Sequence, residues 1–572
     1  MSKSSQNGKK HVLDVYNALV KYLNGQAITL FQEPIQETVK FIVEQFPNII
    51  NVKNKFQSDK PDQHPSLLLT LSNSKTVKVR LFSLKGTSQI QPKNIGAKSF
   101  LKKYFLLNSL QTEFNIKLEK LYRQFLIAIL SKKVKDIPTY ITVTELKKRV
   151  ENFYPKFNNV INPIRTSFLF EVREVCFQLL KEVYNSQFEG IEHAFRELML
   201  LDSVNIITRY TNGNKCSVDR WESNIKPGKL QLYKKGNDTI GIRSGTEALT
   251  IRFKFESGPG SSIKIATSFD TFPTENQVLL TNLKSIQKFE TILNKCISNV
   301  KKNSNNAIGK CNEAMVYYQL LKEKPELKQI DDEAFITMIE KYSISVLPHT
   351  LEEIRTASKI TAKNIEIYLR EEFGTYEIES MQLVPDNYLI DRLDTGDLQL
   401  TLKVNGKYFD KKLSLKAIAK MGGKVTLKNP GVGTILGPQY FDIGSLQPLV
   451  DKLKCQFEEG KINHKQSLEL VSASLGKNLV MAPQSNLKKG LIALLGSATA
   501  VITFYKENKC NIIEHKSIKG KIDVIPNSPT PIQTTLSWDQ NSQQLSLRVK
   551  FSGGQAKGWS SLKLACEYKI EY

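Results

Sequence analysis

HPSLLLTLSNSKTVKVRLFSLKG at 64–86 reads as two strands and a turn, and GDLQLTLKVNGKYFDKKLSLKA at 396–417 reads as the same unit a second time. In both, apolar and polar residues alternate with the two-residue period of a half-buried strand. The turns are Ser72-Asn73-Ser74 and Asn405-Gly406. Asn-Gly suits a tight hairpin because both residues tolerate positive φ. Ser66 aligns with Asp397 and Lys85 with Lys416, 331 residues apart in each case, without a gap.

Working outward, three more blocks recur in the same order. PKNIGAKSFLKKYF (92–105) echoes LKNPGVGTILGPQYF (427–441). NIITRYTNGNKC (205–216) echoes AVITFYKENKC (500–510). LTIRFKFESGPGSSIKIA (249–266) echoes LSLRVKFSGGQAKGWSSLKLA (545–565). Helical text with apolar residues at three- and four-residue spacing opens each copy: HVLDVYNALVKYL (11–23) and LEEIRTASKITAKNIEIYLREEF (351–373). This predicts an α+β chain, internally duplicated, each copy a helix/β-hairpin module followed by a mainly β lobe, the two related by an approximate two-fold axis. Copy one is placed at 1–278 and copy two at 279–572. The spacing between copies shrinks along the chain, so copy one carries an insertion near 132–172, with helical TELKKRVENFYPKF and two prolines, Pro155 and Pro163.

The chain has 572 residues, 81 Lys+Arg and 56 Asp+Glu, a formal net charge of +25. Its hydrophobic fraction of 40% excludes wholesale disorder. No run approaches the ~18 apolar residues of a membrane helix. The opening MSKSSQNGKK lacks the apolar core of a signal peptide, and seven scattered cysteines never form a CxxC pair. Both features predict a cytoplasmic protein with reduced thiols. The positive excess predicts a polyanion partner, most simply duplex DNA. Candidate phosphate contacts are Lys85, Lys93 and Lys428 by the KN-x-G loops and hairpins. The basic strand blocks add Arg252, Lys254 and Lys264 in copy one and Arg548, Lys550 and Lys563 in copy two. The competing reading is a sharp loop before a helix for the KN-x-G segments and ordinary exposed surface for the hairpin and strand-block residues.

Asp397, Gln399 and Thr401 share one strand face by periodicity, and Lys412, Ser414 and Lys416 share a face of the next strand. If the two faces coincide, a carboxylate, a hydroxyl and lysines meet on one hairpin. This hairpin resembles that of the PD-(D/E)xK nuclease superfamily, which includes many type II restriction endonucleases. The resemblance implies a Mg²⁺ cofactor with Asp397 as metal ligand and Lys416 balancing charge at the scissile phosphate. It also departs from the pattern: Ser414 stands where the acid of acid-x-Lys belongs. Asp410-Lys411-Lys412 offers another acid-x-Lys, with Asp410 expected at the turn, so the catalytic candidates are Asp397, Asp410, Lys412 and Lys416. In copy one Ser66 replaces the first Asp and Ser83 precedes Lys85, which implies a catalytically empty copy. Walker, HExxH and GxSxG motifs are absent from the sequence. The function expected is a duplex-DNA-binding protein, a Mg²⁺-dependent restriction-type or phage-defence endonuclease. The alternatives are an inactive nucleic-acid-binding or scaffold subunit of a larger assembly, and a viral or phage structural protein.

Overall fold

Both quoted stretches fold as antiparallel hairpins, each inside a larger sheet. The computed structural model describes every residue except 1–2, 59–64, 87–93, 135–136, 139, 185, 212–215, 222–229, 296–299, 386–395, 423, 515–517, 519, 554–557 and 570–572. The chain forms two compact units, Met1–Thr274 and Glu275–Tyr572, each of mixed helix and sheet.

The first unit begins with α1 (Lys3–Leu23), α2 (Glu33–Gln45), β1 (Ile49–Asn54), β2 (Leu67–Leu71), β3 (Thr76–Lys85) and β4 (Asn94–Gly96). Helices α3 (Phe100–Tyr104), α4 (Asn108–Leu130), α5 (Val143–Phe153), α6 (Asn162–Val183) and α7 (Phe188–Leu198) follow. Strands β5 (Val204–Tyr210), β6 (Cys216–Trp221), β7 (Gln231–Lys235), β8 (Thr239–Ser244), β9 (Glu247–Phe255) and β10 (Ile263–Thr271) complete it. One sheet has the order β1-β2-β3-β5-β6 and the other β4-β10-β9-β8-β7. Helix α5 lies in the expected insertion; the Thr142 hydroxyl caps its start and it stops before Pro155, which disfavours helix at the preceding residue.

The second unit begins with α8 (Glu275–Lys295), α9 (Asn305–Glu323), β11 (Lys328–Gln329), α10 (Ala334–Tyr342) and α11 (Pro348–Phe373). Strands β12 (Glu377–Leu383), β13 (Leu398–Val404), β14 (Lys407–Ile418) and β15 (Lys424–Lys428) follow. Next come helices α12 (Gln447–Glu458), α13 (His464–Val480) and α14 (Gln484–Leu495). The unit ends with β16 (Thr499–Phe504), β17 (Lys509–Ile513), β18 (Asp523–Ile525), β19 (Gln533–Trp538), β20 (Gln543–Phe551) and β21 (Leu562–Lys569). Its sheets run β11-β12-β13-β14-β16-β17 and β15-β21-β20-β19-β18.

Apart from the short edge strand β11, the strand plans of the two units correspond. In each first sheet an antiparallel hairpin joins a distant strand in parallel, β3 with β5 and β14 with β16. The register irregularity between Ile49 and Asn51 on β1 recurs between Ile378 and Ser380 on β12. A buried hydroxyl pair ties helix to strand in each unit, Thr38 with Thr208 at 2.7 Å and Thr361 with Thr503 at 3.0 Å. Each such bond contributes about 1 kcal/mol, and its absence would orphan a buried hydroxyl.

The hairpin turns differ in a way the gapless alignment missed. Leu67 pairs with Val79, but Leu398 pairs with Leu413, so the second hairpin is three residues longer. Asn405 and Gly406 make its turn with φ of 49° and 77°. Lys85 therefore does not stand opposite Lys416 in the strand plan; Phe82 does, since it pairs with Ile207 as Lys416 pairs with Ile502. The sequence also set α11 against α1. The better match to α1 is α9, which is buried from Ala307 to Leu321 except for Gly309 and so shows no amphipathic stripe.

Apolar side chains of α9, α10, α11, β12, β13 and β14 form one continuous core, with Leu398, Leu400, Leu413 and Leu415 at 1% exposure or less. Among the described residues no helix is long and apolar enough to cross a membrane, and six cysteines are free thiols.

Candidate active site

Asp397 immediately precedes β13 and is tied to both neighbouring strands. Its N–H donates to the Leu413 carbonyl at 2.8 Å, and its carbonyl accepts from Val384 N–H at 2.9 Å. The side chain turns onto β14. Oδ2 accepts from Leu415 N–H at 2.8 Å, from Lys416 Nζ at 3.1 Å and from Ser414 Oγ at 3.3 Å. Both members of the ion pair are partly sheltered, with side chains 17% (Asp397) and 24% (Lys416) exposed. The expected two faces are one: Gln399 stands opposite Lys412, and Thr401 opposite Asp410.

Helix α9 packs against β14 and brings two more charges. Lys310 and Glu313, one turn apart, are paired at 2.8 Å with side chains only 10% and 7% exposed. Burial first and the Asp397 charge second push the Glu313 carboxyl up, Lys310 and Lys416 oppose the shift, and the net value is about 8. Two carboxylates thus act on each other beside two ammonium groups, a repulsion that an added cation would relieve. On the same strand face as Asp397, the buried Gln399 Oε1 has no hydrogen-bond partner.

The other candidates fall elsewhere. Asp410 lies within β14, not at the turn, and accepts from the Thr401 hydroxyl at 2.8 Å. It is four strand residues from Ser414, roughly 13 Å at strand rise, so Asp410 and Lys412 belong to a different stretch of the hairpin from the Asp397–Lys416 pair. Lys428 is 8% exposed and donates inward to the Ala493 carbonyl at 2.6 Å. Lys93 lies outside the described residues. Lys85 is exposed at the end of β3.

The chain is 41% identical over 575 residues to the type II restriction enzyme BsuRI of Bacillus subtilis, covering 100% of both proteins. This chain belongs to the type II restriction enzyme family. No family model matches it, and no solved structure does.

In this restriction-family chain the basic blocks sit on paired strands, as their spacing suggested. Lys254 stands opposite Lys264 on β9 and β10, and Lys550 opposite Lys563 on β20 and β21. Several charges are already paired: Arg252 with Asp238 at 2.9 Å, Lys264 with Glu256 at 3.6 Å, and Arg548 with Glu567 at 2.5 Å. The Arg252 side chain is open to solvent, whereas Asp238 and Glu567 are largely sheltered.

Glu313 and Lys310 escaped the sequence reading. A signal was there: Gly8-Lys9, Val15-Tyr16, Leu19 and Lys21 recur 301 residues on as Gly309-Lys310, Val316-Tyr317, Leu320 and Lys322. An acid and a lysine inside a helix buried all round also call for an explanation, since charges are rarely buried unless paired.

Proposed function

We propose that the second unit hydrolyses phosphodiester bonds of duplex DNA, with Mg²⁺ held by Asp397 and Glu313. The observation that carries this reading is the Asp397–Lys416 ion pair at the start of the hairpin, with the buried Lys310–Glu313 pair of the helix packed on β14 close enough for its charges to be felt, in a chain of the type II restriction enzyme family. The donor set suits Mg²⁺, a hard cation usually bound through one or two carboxylates with water and phosphate oxygens. The proposed set is these two carboxylates, with the unpartnered Gln399 oxygen on the same strand face as Asp397. Bound there, the cation would polarise a phosphate oxygen and acidify a water.

The protein's own groups supply the rest. Lys416 would leave Asp397 to balance charge on the phosphate, and Lys310, which opposes the rise of the Glu313 carboxyl, would favour loss of its proton when the cation binds. In each cut a water oxygen bonds to phosphorus, and the P–O bond to one sugar oxygen breaks with its electron pair. The water's protons leave to that oxygen and to solvent, giving a phosphomonoester and a hydroxyl. Lys85, Lys254, Lys264, Lys550 and Lys563 are proposed as backbone contacts, with Arg252 and Arg548 exchanging their carboxylates for phosphates. The biological use that fits is destruction of incoming foreign DNA. We also infer that the two units are copies of one module, which the shared strand plan, the shared register irregularity and the two Thr–Thr bonds support.

Incubating the protein with plasmid DNA and Mg²⁺ tests the reading. Cutting that Asp397→Asn and Lys416→Ala abolish is expected. Failure to cut any DNA, methylated or not, would remove it.

A further inference from the structure

The first unit holds a version of the second unit's cluster that lacks both carboxylates and keeps, of its two lysines, only Lys9 at the place of Lys310. Strand pairings fix the correspondence. Leu67 pairs with Val79 and Val79 with Val204, as Leu398 pairs with Leu413 and Leu413 with Thr499. Ser66 then occupies the place of Asp397, and Phe82 that of Lys416. The shared residues of α1 and α9 set Val12 at the place of Glu313 and His11 at that of Asn312. Val12 is 4% exposed, and burial lowers the His11 imidazole to about 4, which keeps it neutral near pH 7.

Ser66 shows what was kept. Its hydroxyl accepts from Leu81 N–H at 3.1 Å, as the Asp397 carboxylate accepts from Leu415 N–H at 2.8 Å. Leu81 and Leu415 occupy equivalent places in the two strand plans. The position has retained its structural hydrogen bond and lost its charge. Serine, valine and phenylalanine together offer no carboxylate for a cation, and Phe82 puts no ammonium at the place of Lys416.

We propose that each chain has one working cleavage centre, in the second unit, and that it breaks a duplex one strand at a time through a nicked intermediate, the first unit contributing binding alone. This rests on the reading of the second unit as the nuclease. A double-strand break then consists of two successive hydrolyses at one centre, each consuming one water and leaving one phosphomonoester and one hydroxyl.

The test uses the full-length protein, Mg²⁺ and a supercoiled plasmid that it linearises at a single site. Open-circular DNA should rise to about half of the total before linear DNA replaces it, the value required by two equal and independent strand cuts. That share should stay unchanged as protein is raised from equimolar to large excess. Mixing wild type with excess Asp397→Asn chain should slow the reaction yet still end in linear DNA. Phe82→Leu should leave the single-turnover rate at saturating protein unchanged, because that position takes no part in chemistry. Linear DNA forming with no open circle, an open-circle share that vanishes as protein increases, or mixtures that stall as open circle would each overturn the one-centre inference and leave the nuclease reading standing. Absence of any cutting, or wild-type cutting by Asp397→Asn, would instead overturn the nuclease reading, and this inference with it.

Discussion

Replacing Asp397 by serine and by alanine separates the structural work of this residue from its chemical work. Its Oδ2 holds the N–H of Leu415, a residue 1% exposed in the core. Asp397→Ala leaves that donor without its acceptor, and an orphaned buried donor costs roughly 1–3 kcal/mol. The stranded Lys416 adds little, because an ammonium 24% exposed can turn to water. Asp397→Ser should cost less than about 1 kcal/mol, since a serine hydroxyl can take the N–H as Ser66 takes that of Leu81. Both substitutions remove the carboxylate, so both should lower single-turnover cleavage by at least ~10²-fold, the usual scale for losing one preorganised electrostatic group. Urea unfolding followed by the fluorescence of Trp538 and Trp559, both in the second unit, reads the stability difference. Equal stability of the two variants would refute the hydrogen-bond account. Serine retaining wild-type cleavage would refute the chemical one.

The raised pKa of Glu313 predicts a pH dependence in the metal-free protein. Its folded-state value of about 8 lies above the ordinary 4.5, so the folded protein holds a proton the unfolded chain releases, and stability falls as pH rises between those two values. Glu313→Gln should remove a loss on the order of 3 kcal/mol by neutral pH, read as unfolding midpoints diverging from pH 5 to 8; parallel midpoints would count against it. Lys428→Ala should destabilise the fold by about 1.5–3 kcal/mol, because it deletes a charged donor buried against the Ala493 carbonyl. Weakened DNA binding at unchanged stability would show the opposite. Lys254→Ala with Lys550→Ala should reduce the slope of log affinity against log salt by about 0.9 for each lysine, measured by titration with a DNA duplex in Ca²⁺. An unchanged slope would take these lysines out of the interface.

The hairpins, the α+β class and the Asp397–Lys416 pair were legible because strand periodicity and the Asn405-Gly406 turn are local signals. The partner Glu313 was not, because the helix carrying it is buried all round and lies 84 residues earlier in the chain. Hairpin length also escaped: β3 and β14 look alike as text, yet three added residues around the second turn move Lys416 away from Lys85 and onto Phe82. Lys428 read as a surface lysine beside a glycine loop, whereas its ammonium reaches a helix carbonyl that only the tertiary fold brings near.

The most direct test of the Asp397–Glu313 centre is single-turnover cleavage of duplex DNA in Mg²⁺ by wild type, Asp397→Asn and Glu313→Gln, with DNA binding checked in Ca²⁺. Each variant should bind DNA and cut at least ~10²-fold more slowly than wild type. Wild-type cleavage by either variant would contradict the account.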